Sequence, residues 1–579
     1  MSKTADSLKR LFWGCFLLFQ IVTIANAADI YVPDAPNDIH NIQDAIIRAS
    51  DGDTITVLDG TYTGTGNYNI DFLKKAITVK SQNGPANCTI NCQWMGRAFI
   101  FTSGETISSV LEGFTIINGY AKDLLWPRDP DTNTSGYGGA IYCKGSGPKI
   151  ENCIIEDCDA DSGGGAIFCY EDSNAVILNC DLNYNYCGIG FYNYSLANVK
   201  DINQLGGAIY AKNSSPAITG CTITYNWAIG SGGAIACEDS NSLISDCTIN
   251  DNEASADDDG YIITNQHGGG IYCQGGTPKV DSCTLTFNYA KWSGGGIAFV
   301  KSNAMITLSA LIDNDCDASG GGIYSEGNPN ADPNAANCFI QKSLIAQNRG
   351  YWSGGVASNE DSFAKIENCT IANNVIPYSV SPSLVGGLEC YYGDASITNS
   401  IIWENYGLQI AGANDVTYCD VRILDPNGLV DPNSIWPGEG NINKDPLFAD
   451  TRHDDYHLKT EYLNGRWNPV SGLFDSDDPV TSPCINAGDP FADYSLEPED
   501  NGDRVNMGAY GNTQYASKSD IIRSVPADLN SDLMVDWLDL LILTNNWLLE
   551  GNNIINKKAD LNNDGIVNMF DFALFAKFW

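Results

Sequence analysis

Nine times between Gly139 and Leu388 the chain repeats a Gly-Gly step followed by an aliphatic residue, reading GGAIYC, GGAIFC, GGAIYA, GGAIAC, GGGIYC, GGGIAF, GGGIYS, SGGVAS and VGGLEC. Further along each unit stands a Cys or Ser: Cys153, Cys180, Cys221, Cys247, Cys283, Ser309, Ser343, Cys369 and Ser400. Five residues later comes an Asn, replaced once by Cys158. Successive second glycines (Gly139, Gly165, Gly207, Gly233, Gly269, Gly295, Gly321, Gly354, Gly386) are separated by 26, 42, 26, 36, 26, 26, 33 and 32 residues. A period in the twenties that tolerates insertions demands a solenoid, in which each repeat buries its apolar face only against its neighbours. Segments such as AVILNCDLNYN, PAITGCTITYN and AKIENCTIANN alternate apolar and polar residues with period two and are rich in Ile, Val and Thr, so the repeats are strands. Glycine pairs before each strand suit a corner needing positive φ or close backbone approach, and exclude helical repeats.

Short strands wound in one sense predict a parallel β-helix with coils stacked about 4.8 Å apart. Identical positions then lie over one another, and Asn185, Asn226, Asn252, Asn288, Asn314, Asn348, Asn374 and Asn405 form a ladder in which the side chain bonds neighbouring backbone or supports a left-handed bend. From Asp29 to Cys419 the chain resembles the right-handed parallel β-helix proteins of the pectate-lyase-like superfamily, and its GGAI and Asn motifs are similar to the repeats of chlamydial polymorphic outer membrane proteins. The resemblance implies an all-β, right-handed, single-stranded parallel β-helix. That fold hosts lyases, hydrolases, esterases, tailspikes and adhesins, so it does not by itself imply one activity.

The organisation read from sequence is a signal peptide over 1–27, a β-helix over 28–420, a closing region over 421–517, a linker over 518–525 and a second module over 526–579. Lys3, Lys9 and Arg10, the apolar run from Leu11 to Ile24 and Ala25-Asn26-Ala27 make the secretory signal, so the expected location is extracellular or at the cell surface, with no membrane span. Loss of that signal takes the formal charge from −40 to −42, because three basic residues and Asp6 leave with it. Such an excess of carboxylates excludes nucleic acid and anionic membrane as expected partners. It favours a protein that meets cations, and an acidic polysaccharide would need calcium or local Lys and Arg as a bridge. Of twenty cysteines Cys15 leaves with the signal, and most of the rest occupy two repeat positions where Ser, Ala and Phe also occur. Two readings follow: rows of free, buried thiols, or several disulfides between neighbouring coils.

Insertions share one corner. From the anchor glycine to the Cys or Ser the distance is nearly constant, except for the loop NPNADPNAAN; the long segments lie between the Asn and the next glycine pair, with a further one running from Tyr120 to Tyr137. Long loops on a rigid scaffold are where function concentrates. This corner carries Trp126, Trp227, Trp292 and Trp352 with Tyr261 and Tyr351, flat faces for sugar rings. It also carries Asp159, Asp161, Asp257, Asp258, Asp259, Asp315 and Asp317, which could bind calcium or serve as paired acid and base, and Arg128, His267, Lys291 and Arg349 as further substrate contacts. The other reading of these groups is a covered corner with solvated acidic turns.

Pectate lyases of the resembled fold use clustered calcium-binding Asp residues with an Arg or Lys base, for which Arg128, Lys291 and Arg349 are the candidates here. Polygalacturonases use an Asp set with a His and an Arg-x-Lys segment, a set this sequence lacks; His40, His267, His453 and His457 are its four histidines. The function expected is therefore binding of polysaccharide, with degradation by a lyase or glycoside hydrolase mechanism left open and no catalytic residues assigned. The alternative is a non-catalytic adhesin or structural protein of the polymorphic outer membrane protein type. Segments KDPLFAD, DYHLK, SPCINAGDP and NGDRVNMGAYG are read as a cap on the open end of the solenoid.

The last module contains ADLNSDLMVDWLD and ADLNNDGIVNMFD, two loops with oxygen side chains at positions one, three, five, nine and twelve, the pattern that wraps a hard cation. Asp528, Asn530, Asp532, Asp536 and Asp539, with the Met534 carbonyl, form the first set. Asp560, Asn562, Asp564, Asn568 and Asp571, with the Ile566 carbonyl, form the second, 32 residues on. Each loop precedes an apolar stretch that reads as a helix. The duplication resembles a type I dockerin, which implies Ca2+ and a cohesin-like or cell-surface docking partner. Leu533 stands where that family has a turn glycine, and Trp537-Leu538 and Met569-Phe570 where many dockerins present hydroxyl residues.

Overall fold

A computed structural model describes residues 27–122, 136–188, 204–256, 266–327, 338–377, 384–425, 429–431, 433–519, 527–530, 535–562 and 564–579. Among them, four parallel sheets of 12, 14, 13 and 8 strands build a β-helix, the last confined to its middle coils; they are called sheets 1 to 4 in that order. One coil shows the plan. Ile141–Lys144 belongs to sheet 1, Lys149–Glu151 to sheet 2, Ile154–Glu156 to sheet 3 and the two-residue Asp159–Ala160 to sheet 4. Each strand pairs in register with its counterpart one coil away, as Ile141, Tyr142 and Cys143 do with Ile167, Phe168 and Cys169. At the N-terminal end a helix, Ile42–Arg48, is capped by Asn41, whose side chain accepts the Asp44 N–H, and lays Ile42, Ala45 and Ile46 on the first coils. No helix among the described residues is long and apolar enough to cross a membrane.

The repeat motif maps onto corners. In the first seven repeats the first glycine of the pair takes a left-handed φ, 69° at Gly138 and 64° at Gly164, while Ser353 and Val385 hold that place in the last two without a left-handed φ. The second is needed for space: a Cβ on Gly139 would lie 2.1 Å from the carbonyl oxygen of Gly165 in the next coil. Both glycines are thus fixed, by different constraints. The aliphatic residue that follows points inward, and Ile141, Ile167, Ile209, Ile235, Ile271, Ile297 and Ile323 form a fully buried row. Each such side chain contributes about 2 kcal/mol by leaving water.

The ladder residues Asn226, Asn252, Asn288, Asn314, Asn348 and Asn374 are all buried. The left-handed bend falls one residue earlier than the sequence suggests, at Tyr225, Asp251, Phe287, Asp313, Gln347 and Asn373, and not on the Asn itself. The physical reason is that the Asn is committed to its neighbours. Asn314 Oδ1 accepts from the Asn288 backbone N–H (3.1 Å) and from Asn288 Nδ2 (2.9 Å), while Asn314 Nδ2 donates to the carbonyl of Leu285 (2.9 Å) and to Asn348 Oδ1 (3.0 Å).

All described cysteines are free thiols, and all but Cys390 are fully buried, which supports the thiol-row reading. At the corner row Cys180, Cys221, Cys247, Cys283 and Cys369 each direct the Sγ–H to a carbonyl of the preceding coil, as from Cys247 to Ile218 (3.6 Å) and from Cys283 to Ile244 (3.5 Å). Burial pushes the Cys88, Cys92, Cys338 and Cys369 thiols up to about 12, holding them protonated at neutral pH.

The closing region does more than cover the end. Asp420 bridges in parallel to Ile442, and Asn441 Oδ1 accepts the Cys419 N–H (2.8 Å), so this stretch extends the last coil. Beyond it the chain turns back along the outer face of sheet 3, where Tyr456 and Ala509 pack on Ile312, Leu344, Ala346 and Ala372. There Tyr510 stacks on His457 at 3.7 Å, and Arg466 bridges Asp455 (3.1 Å) and Asp478 (2.9 Å).

Replacing Asn314 by Ala leaves the Asn288 backbone N–H and amide without their acceptor inside the coil. Urea unfolding should show a loss of about 3 kcal/mol with the slope unchanged; a loss below about 0.5 kcal/mol would show that the ladder is dispensable.

Candidate functional site

The insertion corner lies between sheet 4 and sheet 1. Its loops carrying Trp126, Arg128, Asp257, Asp258, Asp259 and Tyr261 fall outside the described residues. The strands of sheet 4 beside them are described. In each, the second residue (Ala121, Ala160, Cys187, Ala228, Ala254, Ala290, Cys316) is buried, so the first must face outward. In-register pairing then makes an outer row of Tyr120, Asp159, Tyr186, Trp227, Glu253, Tyr289, Asp315 and Arg349. Aromatic and carboxylate groups alternate in blocks along it. Tyr186 meets Trp227 edge to face at 5.1 Å, and Trp227 Nε1 donates to the Ser255 carbonyl at 2.7 Å, which fixes the indole.

A second row lies nearer the glycines. The Ala318 N–H bonds the Trp292 carbonyl and the Trp352 N–H bonds the Ala318 carbonyl, each at 2.9 Å, so Trp292 and Trp352 stand on alternate coils with an alanine between. Their side chains are therefore about 10 Å apart along the axis. They are 53% and 49% exposed, and Tyr351 abuts Trp352 edge to face at 4.8 Å. Two large, half-exposed rings are thus held in line by backbone register.

The charged candidates are mostly paired. Lys291 Nζ lies 3.0 Å from Asp317, and Arg349 Nη1 lies 3.0 Å from Asp315 on the neighbouring coil. These pairs hold two of the three cations that the sequence offers as bases; the third, Arg128, lies outside the described residues. Asp159 and Asp161 differ: the Tyr120 hydroxyl donates to Asp161 Oδ1 (3.0 Å), and burial, then the nearby charges of Asp161 and Asp157, push the Asp159 carboxyl up to about 7. His267 is buried rather than presented at the corner. It is 6% exposed, its ring stacks against Tyr324 (5.5 Å) and Tyr272 (6.3 Å), and burial pulls its pKa down to about 4.

Those tyrosines belong to a feature the sequence reading passed over. On the outer face of sheet 1, Tyr142, Phe168, Tyr210, Tyr272 and Tyr324 form a buried aromatic ridge separate from the main core. Beside it runs a polar strip in which Glu238 accepts from the Tyr210 hydroxyl (2.5 Å) and from Lys212 Nζ (2.9 Å). The signal was present: the letter after each motif's aliphatic residue must face outward, and it is aromatic in five of the first seven repeats.

In the C-terminal module, helices Trp537–Asn545 and Met569–Phe575 each start with a capping box. Asp539 is fully buried and accepts the N–H groups of Leu529, Asn530 and Asp536 at 2.7, 3.0 and 2.9 Å; Asp571 repeats this with Leu561, Asn562 and Asn568 at 2.7, 3.2 and 2.7 Å. Asp532 and Met534 fall outside the described residues. In the second loop the Asp560 oxygens accept the N–H groups of Asp564 (3.1 Å) and Gly565 (2.9 Å), Asn562 bonds Asp564 (2.9 Å), and Asn568 Nδ2 donates to the Ile566 carbonyl (3.2 Å). These bonds tie the loop to itself, with Gly565 at φ 85° making the turn, and among the described residues no three His, Cys, Asp or Glu side chains are gathered as a metal site.

Residues 526–578 match the dockerin type I domain, 165–331 the right-handed β-helix region, and 345–488 a family described as disaggregatase related. The solenoid is a right-handed parallel β-helix and the C-terminal unit a dockerin-type module. No curated protein matches the chain. Similar solved structures include an alginate lyase with G6 (12% identity, 70% of this chain and 91% of the other, TM-score 0.37) and a rhamnogalacturonan lyase (14%, 70% and 95%, 0.30). Another is the catalytic unit of an α-1,3-glucanase from Streptomyces thermodiastaticus (12%, 72% and 68%, 0.29). Likeness at this level assigns neither substrate nor activity.

Replacing Asp161 by Asn removes the larger of the two like-charge effects on Asp159. A carboxyl titration by NMR should show the Asp159 pKa falling by about one unit yet staying well above 3.8, since burial persists; an unchanged value would assign the whole shift to burial.

Proposed function

We propose that this is an exported polysaccharide-binding protein that holds a glycan along the insertion corner and is positioned by its dockerin-type module. The observation carrying this reading is the pair Trp292 and Trp352, half-exposed on alternate coils with Ala318 between. Such a spacing offers two ring platforms to an extended chain, and Trp227 and Tyr186 continue the aromatic surface on the neighbouring row. Binding is preferred to lyase chemistry because two of the three candidate bases, Lys291 and Arg349, are engaged by Asp317 and Asp315. Hydrolysis is the second reading. Its support is the Asp159 carboxyl, raised to about 7 beside Asp161, which suits a general acid near neutral pH.

Substituting both Trp292 and Trp352 by Ala should abolish retention on immobilised uronate-containing or neutral polysaccharide while leaving the circular dichroism spectrum unchanged. Undiminished retention would sink the reading. In the same incubations, unsaturated products would mark a lyase and new reducing ends a hydrolase.

For the module, the donor set is all oxygen, as a hard cation requires, and Asp560, Asn562, Asp564, Asn568 and Asp571 would hold Ca2+ in the second loop. The bound cation would draw in and neutralise the loop's carboxylates and lock helix Met569–Phe575 onto the small core around Leu543, Val567 and Phe575. Trp537, Met569 and Phe570, each more than 60% exposed, then form the surface for a cohesin-like or cell-surface partner. Chelation should lower the helical signal of the isolated 526–579 segment and calcium should restore it; no response to either would refute calcium ordering.

A further inference from the structure

Where the closing region lies along the solenoid it leaves an open cavity of about 490 Å3, at the corner between sheets 2 and 3 and away from the insertion corner. Coil residues Ser282, Leu308 and Lys342 line one side of it. They occupy the same corner position on three successive coils, all with left-handed φ, at 55°, 51° and 51°. Elsewhere in this row the chain uses residues that accept such a conformation: Asn152, Asn179, Gly220 and Asp246 before them, Asn368 and Asn399 after. A leucine and a lysine are poor choices for a left-handed corner. The rule is broken at Leu308 and Lys342, on two neighbouring coils that line the cavity, and once more near the end of the row at Tyr418; such strain is retained where the side chain is needed.

The facing wall comes from the closing region and supplies Leu496, Tyr510, Gln514 and Tyr515. Leu308 and Leu496 are 47% and 59% exposed, an apolar pair waiting for a cover. Ser282 and Gln514 make no side-chain hydrogen bond among the described residues, so a hydroxyl and an amide remain available beside two phenol rings. Lys342 is half-buried and forms no ion pair among the described residues, although Asp493 and Glu497 lie within electrostatic reach. Rings, apolar edges, hydroxyl, amide and a single lining cation describe the complement of a sugar ring that carries a carboxylate. In a protein of formal charge −40, such a ligand needs a cation placed for it.

We propose that this cavity is a second carbohydrate site that takes one uronate residue, with its carboxylate on Lys342 Nζ, its ring against Leu308 and a tyrosine face, and its hydroxyls on Ser282 and Gln514. The inference rests on the carbohydrate reading given above but concerns a different surface.

The test is titration calorimetry on the full chain with glucuronate, using methyl glucoside and acetate as controls. Glucuronate should bind at least about tenfold more tightly than either control. Lys342→Asn installs the residue that this row uses elsewhere, so it should fold with an equal or higher melting temperature and still lose glucuronate affinity by about tenfold or more. Lys342→Arg should retain it, and Leu308→Asn should weaken methyl glucoside and glucuronate alike. Equal affinity of Lys342→Asn and the wild type, or no glucuronate binding at millimolar concentration, overturns the proposal. The Trp292 and Trp352 double variant separates the two sites: it should lose polymer retention and keep glucuronate binding. Polymer retention without glucuronate binding would sink the cavity alone, and glucuronate binding without polymer retention would sink the corner alone.

Discussion

Every other feature of the solenoid depends on one buried amide network. An Asn side chain is short, and it has both an acceptor and a donor. Placed at the corner between sheets 3 and 4, it takes the N–H of its counterpart one coil back and gives its own N–H groups to a carbonyl there and to the next Asn. A row of such bonds satisfies polar groups that would otherwise be stranded in a dry core, and bonds in a chain polarise one another. It also fixes register. A coil displaced by one residue would bring a Tyr, Phe or Asp to the Asn position, leaving the amide in solvent and its partners unpaired. Glycine packing and the inward isoleucine row need that register, because Gly139 and Gly165 tolerate no Cβ between them.

Much of the fold was legible because the solenoid repeats its constraints. The glycine pair, the Cys or Ser and the Asn each mark a corner, and their constant spacing gives the strands between them. What repetition does not report is a contact made once. The path of the closing region along sheet 3 is such a contact, although the sequence carries its trace: outward residues of that sheet change from Thr222, Thr224, Thr248 and Thr284 to Ala310, Ile312, Leu344, Ala346, Ile401 and Trp403. A polar face becomes apolar where something covers it.

The candidate site was legible in the same uneven way. Trp227, Trp292 and Trp352 were visible as large rings at an insertion corner, and the structure gives them neighbours and spacing. Tyr120, Tyr186, Glu253 and Tyr289 escaped notice because the two-residue strands of sheet 4 are too short for an alternation pattern, and only pairing with neighbouring coils shows which residue faces out. Electrostatic roles were hidden for a related reason. Lys291 and Asp317 are 26 residues apart, as are many unrelated positions; that they form a pair is a property of stacking. His267 looked like a loop residue by position, but it is turned onto the tyrosines of sheet 1 and kept neutral there.

The in-register stacking of Trp292, Ala318 and Trp352 has a further consequence. A surface built this way is graduated like a ruler, with one mark per coil. Any side chain can be moved along it by a whole division, by exchanging residues between equivalent positions, and by no smaller amount. A polymer lying along the axis can therefore meet successive platforms in the same orientation only if its own repeat is commensurate with that division. Selectivity among linear chains can arise from length matching alone, before any hydrogen bond distinguishes one sugar from another.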